Sequence, residues 1–178
     1  MSDKIDQLLT QAYQARRDNR PADAKQMFGE AVDLCRADGG AALARALTGL
    51  GQIERDMGRL DVARRQYEAA LAIYRVVGDS LKVAHTVRHL GDIHHDNGRP
   101  ELAEPCYIEA LALYRRDPRT PPIDLANAIR GFAILKEDAG QTEEATALWE
   151  EARDLYASVS IQAGVTESAR RIARLSTS

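Results

Sequence analysis

The chain is 178 residues long, 44% hydrophobic but only 5% aromatic, and carries a formal charge of −3. That is room for one core, and the near-neutral charge offers no general attraction to nucleic acid or to an anionic membrane. No apolar run approaches the roughly 18 residues of a membrane span, and MSDKIDQLL at the start is no signal stretch, so the expectation is a soluble, cytoplasmic protein.

Read in order, the chain repeats itself. Leu50 to Tyr74 (LGQIERDMGRLDVARRQYEAALAIY) and Leu90 to Tyr114 (LGDIHHDNGRPELAEPCYIEALALY) match at leucine, both glycines, alanine, tyrosine and Ala-Leu. Each unit is counted here so that this leucine is position 7. The first unit is weaker at its start but supplies Ala12, Asn19, Ala24, Phe28, Ala31 and Cys35 at positions 8, 15, 20, 24, 27 and 31. The second carries Leu50, Gly51, Gly58, Ala63, Tyr67, Ala70 and Tyr74, and the third Leu90, Gly91, Gly98, Ala103, Tyr107, Ala110 and Tyr114. In the fourth the same places hold Phe132, Ala133, Gly140, Ala145, Trp149, Ala152 and Tyr156. Successive position-20 alanines, at 24, 63, 103 and 145, lie 39, 40 and 42 residues apart.

Each unit reads as two helices. Helix A runs over positions 1 to 14, and glycine or asparagine at 15 stops it by tolerating positive φ. Pro21 and Pro100 then stand where helix B starts, and a missing N–H costs nothing there. Small residues at 8, 20 and 27 allow close helix approach, and the aromatic at 24 fills the space beside them. Pro105, inside a helix B, is expected to bend it slightly. The breaks between units are Asp38-Gly39-Gly40, Val77 to Ser80 and Arg115 to Pro122, the last absorbing the longer 42-residue spacing. The apolar stripe of helix A becomes Gln7, Gln11, Gln14 and Asp18 in the first unit, a polar outer cap, while residues 160–175 form one more helix A that closes the other end.

This pattern resembles the tetratricopeptide repeat, with a period longer than the family's usual 34 and similar to the repeats of kinesin light chains. The resemblance implies an all-α, right-handed α-solenoid of four helix-turn-helix hairpins plus a C-terminal capping helix. The repeats would cover about 5–39, 41–79, 80–120 and 122–159, with the cap at 160–175, in a single domain 1–178. It further implies that positions 2, 5, 6, 9, 12 and 13 of the A helices line a concave groove. Carried over, the groove residues are Tyr13, Arg45, Gln52, Arg55, His85, Arg88, His89, Asp92, Arg130, Arg170 and Arg174.

Arginine forks suit carboxylates, so a protein or peptide ligand with an acidic side or a free C-terminus is the expected partner. Tyr13 would be an aromatic anchor, and Arg88 replaceable at little cost in stability. The lysine or arginine clamp with asparagine at position 9 that chaperone adaptors use for terminal carboxylates is absent. Self-association and a small-effector sensor role stay open as alternatives.

Chemistry finds little footing. No nucleophile elbow, phosphate loop or HExxH is present, so no catalytic residue and no cofactor is expected. All four histidines fall between 85 and 95, and His85, His89 and Asp92 follow i, i+4, i+7 spacing. A fourth ligand is missing, and no metal is expected. Cys35 and Cys106 sit at different repeat positions, too dispersed for a disulfide or a thiolate zinc site.

Overall fold

The computed structural model describes residues 2–36 and 39–177, with side chains from Lys4 onward. Asp38 of the first break and Ser178 lie outside the described residues. Among the described residues there are nine α-helices: α1 (Ser2–Arg17), α2 (Pro21–Cys35), α3 (Gly40–Asp56), α4 (Leu60–Val77), α5 (Ser80–Asp96), α6 (Pro100–Arg116), α7 (Pro122–Asp138), α8 (Thr142–Ser158) and α9 (Gln162–Leu175). No described residue is in a strand. The odd-numbered helices are the A helices and the even-numbered the B helices.

The turn chemistry sets the helix ends. Asn19, Gly58, Gly98 and Gly140 have φ of 57°, 74°, 67° and 73°. At each the chain leaves helix A in the left-handed conformation, which asparagine and glycine reach at low cost. Pro21, Pro100 and Pro122 open α2, α6 and α7. The A helices start earlier than the sequence pattern suggested: α3 begins at Gly40, four residues ahead of position 1. Ala41, Ala42 and Leu43 are good helix formers, so the additional residues of the long period go into helix instead of loop. α6 runs unbroken through Pro105, which removes one hydrogen bond, that to the Glu101 carbonyl. The longer spacing before the fourth repeat is taken up in residues 117–121, where Thr120 Oγ1 donates to the Tyr114 carbonyl at 2.7 Å.

The chain divides into two compact units, Met1–Thr86 and Val87–Ser178. In the first, α1 packs on α2, α3 on α4, α2 on α3 and α1 on α3. Phe28, fully buried, lies against the backbone of Gly49, where a Cβ would come 2.2 Å from the ring. Tyr67 lies in the same way on Gly51, at 2.9 Å.

The second unit repeats the device. Tyr107 sits between Gly91 of its own hairpin and Gly131 of the next, whose added Cβ atoms would meet the ring at 3.3 and 2.7 Å. It also stacks on Phe132, with centroids 5.8 Å apart. Position 6 of α3 and of α7 is therefore where a neighbouring aromatic enters, not a position facing ligand. Within this unit α6 packs on α7, α7 on α8 and α8 on α9, and Trp149 is completely buried.

Candidate functional site

Positions 2, 9, 12 and 13 of the A helices carry most of the side chains expected to meet a ligand. In the first unit these side chains meet across the repeat boundary. Arg45 Nη1 donates to Asp6 Oδ1 at 2.7 Å, and Arg16 Nε to Asp56 Oδ2 at 2.9 Å. Tyr13 turns inward: its hydroxyl donates to the Arg45 carbonyl at 3.3 Å and its ring meets Phe28 edge-on at 4.8 Å. Burial above all pushes the Tyr13 phenol up to about 12. The expected aromatic anchor is thus committed to holding α1 against α3. Arg55 and His85 are half-buried, and Gln52 Oε1 is buried with no hydrogen-bond partner among the described residues.

The second unit gathers Arg88, His89 and Asp92 around Tyr107. Asp92, buried, receives the Tyr107 hydroxyl at 2.8 Å on Oδ1 and Arg88 Nη1 at 3.0 Å on Oδ2. His89 Nε2 accepts from Arg88 Nη2 at 2.8 Å, and its Nδ1 lies 3.6 Å from Asp92 Oδ2. With 13% of its side chain exposed, Arg88 is a structural partner of Asp92, contrary to the expectation that it could be replaced freely. Among the described residues no three His, Cys, Asp or Glu side chains converge as metal ligands would.

Further along, Arg130 forks the Glu167 carboxylate at 2.8 and 2.9 Å. The Arg130 hydrogen bonds hold the Glu167 carboxyl below its ordinary range against its partial burial. Glu137, nearly buried, takes the Trp149 indole N–H at 3.2 Å, Arg171 at 3.2 Å and Arg174. Arg171 also lies over the Trp149 ring at 5.4 Å. Arg170 is exposed and makes no hydrogen bond or ion pair among the described residues.

The expected arginines thus lie on the A helices, but Arg45, Arg88, Arg130 and Arg174 are already matched by the protein's own carboxylates. Asp6, absent from the expected groove, carried a signal: a charge opposite to one about a repeat away. Asp6 and Arg45 are 39 residues apart and Arg16 and Asp56 are 40.

Paired helices with glycine at 15, alanine at 20 and an aromatic at 24 define a helical-repeat protein. A sequence model described as tetratricopeptide repeat matches residues 6–76 and 82–158. The chain belongs to the tetratricopeptide repeat family, whose members are typically non-catalytic scaffolds for protein interaction. Its fold has the all-α repeat architecture of that family's solenoids.

Solved structures agree on the fold. BtubC (BKLC) from P. vanneervenii aligns at 20% identity with a TM-score of 0.70, over 97% of this chain and 80% of its own. A putative kinesin light chain from Podospora anserina, with nearly identical TPR-like repeats, aligns at 15% identity and 0.77, over 98% and 86%. A second crystal structure of that protein, carrying a substitution, gives 16% identity and 0.77, over 97% and 84%. No curated protein sequence matches this chain. No helix among the described residues is long and apolar enough to cross a membrane.

Proposed function

We propose that the protein is a non-catalytic scaffold that binds a protein or peptide partner on the face formed by its A helices. The observation that carries this reading is the side-by-side meeting of polar side chains from successive A helices. Asp6 with Arg45 in the first compact unit, and Arg130 with Glu167 in the second, each join the A helices of neighbouring repeats.

The internal pairing refines the ligand. A partner that merely offered carboxylates would compete with Asp6, Asp92 and Glu167, which are already in place at no translational cost. Recognition then falls to side chains with hydrogen-bonding capacity left, such as the exposed Arg170 and Arg17. A cytoplasmic setting belongs to this reading.

The test is capture from native extract with the wild-type chain, with Arg17→Glu plus Arg170→Glu, and with Arg65→Glu on the outer side of α4. The reading expects the same partner to be lost with the first pair and kept with the last. Retention by all three places recognition elsewhere.

A further inference from the structure

If the A-helix face is where the partner sits, one chemical feature of that partner can be specified. Between the turn after α5 and the C-terminal end of α7 lies a cavity of 220 Å3, lined by His95, Gly98, Pro100, Leu135, Asp138 and Ala139. Pockets for whole small-molecule ligands start at about 300 Å3, whereas a dry cavity of about 150 Å3 already accepts benzene. This one is therefore sized for a single side chain.

Its chemistry is two-sided. Pro100, Leu135 and Ala139 give it apolar walls, and Asp138, 60% exposed, supplies a carboxylate at the rim. Asp138 Oδ2 accepts from His95 Nε2 at 2.9 Å, which fixes the proton on that nitrogen. Asp138 Oδ1 has no hydrogen-bond partner, and no lysine or arginine pairs with this carboxylate among the described residues. The adjacent Glu137, by contrast, is turned to Arg171 and Arg174.

An apolar sleeve ending at a carboxylate that no lysine or arginine of the described residues pairs with suits a long side chain with a methylene stem and a cationic head. Of the two such side chains, arginine is the more weakly hydrated and offers a planar fork, so it gives up less on entering a half-closed site. We propose that this cavity receives an arginine side chain of the bound partner, its stem against Pro100, Leu135 and Ala139 and its guanidinium on Asp138. An acidic residue would meet Asp138 with like charge, and a purely aliphatic one would leave Oδ1 facing an apolar neighbour. The partner segment thus carries a basic residue at this edge, where the sequence pattern alone suggested an acidic ligand.

The test is amide NMR of the full chain titrated with acetyl-Ala-Arg-Ala-amide, with the citrulline and glutamate analogues as comparisons. The proposal predicts saturable shifts confined to residues 95–100 and 135–140 with the arginine probe. Neither analogue should produce them, and Asp138→Asn, isosteric at an exposed position, should weaken the arginine probe about fivefold or more. Equal response to citrulline, an unchanged affinity in Asp138→Asn, or no saturable shift at millimolar probe overturns it. Such a failure leaves the A-helix reading intact, because that is decided by the Arg17 and Arg170 reversals.

Discussion

The Tyr107 hydroxyl, on a B helix, donates to Asp92 Oδ1 on the preceding A helix at 2.8 Å, and both groups are buried. Tyr107→Phe keeps the ring between Gly91 and Gly131 but leaves Asp92 short of one hydrogen bond. A buried charged acceptor deprived of a partner costs about 1–3 kcal/mol, and at this chain length each kcal/mol is roughly 2–4 °C in Tm. A thermal melt of Tyr107→Phe should therefore fall by several degrees, and an unchanged Tm would mean the bond contributes nothing net.

Glycine-to-alanine exchanges separate packing from propensity. At Gly131 the new methyl would lie 2.7 Å from the Tyr107 ring and 3.1 Å from Asp92 Oδ1, whereas at Gly29, also helical, nothing lies within 4 Å. Gly131→Ala should destabilise by about 1–3 kcal/mol through overpacking. Gly29→Ala should stabilise by about 0.5–1 kcal/mol through lost chain entropy in the unfolded state. Urea titrations of the two variants should move in opposite directions, and movement in the same direction contradicts the packing account.

Charge reversal should sort structural arginines from available ones. Arg88→Glu sets a carboxylate against buried Asp92, while Arg170→Glu changes an exposed side chain with no hydrogen-bond or ion-pair partner among the described residues. The first should lower Tm by several degrees and the second by less than one, since surface changes away from such contacts stay within about 0.5 kcal/mol. Equal effects in scanning calorimetry would undo the distinction.

Acid should loosen the terminal helix first. The Glu167 carboxyl is held below its ordinary value, chiefly by the Arg130 hydrogen bonds. Its stabilising contribution is present above the unfolded carboxylate range near about 4.3 and is lost as pH falls through the depressed folded value. Trp149 is the chain's one tryptophan and touches both Glu137 and Arg171, so its emission reports on the docking of α9. Emission should change at low pH before the bulk helical signal does, and Arg130→Gln should shift that change to higher pH. Coincident transitions in both proteins would argue against separate release of α9.

Much of this architecture could be read from residue types. Asn19, Gly58, Gly98 and Gly140 announce the turns because left-handed backbone excludes most side chains, and Ala24, Ala63, Ala103 and Ala145 mark the close helix contacts. The candidate face was legible only in part. Periodicity puts Arg45, Arg88 and Arg130 on the A helices, but whether a cation faces solvent or a neighbour's carboxylate depends on residues about 40 positions away. The close contacts at Gly49 and Gly131 were not legible, because a glycine gives no sign of what presses on it until Phe28 and Tyr107 are placed. The cavity at Asp138 needs two turns and a helix end in register, and nothing local in Gly98, Pro100 or Ala139 announces it.

The claim on which the rest depends is that partners engage the A-helix face. Hydrogen exchange with a partner recovered from the capture experiment tests it most directly. Protection is predicted along α1, α3, α5 and α7, with α2, α4, α6 and α8 exchanging as in the free protein. Protection confined to the B helices, or to the outer faces of α1 and α9, would contradict it.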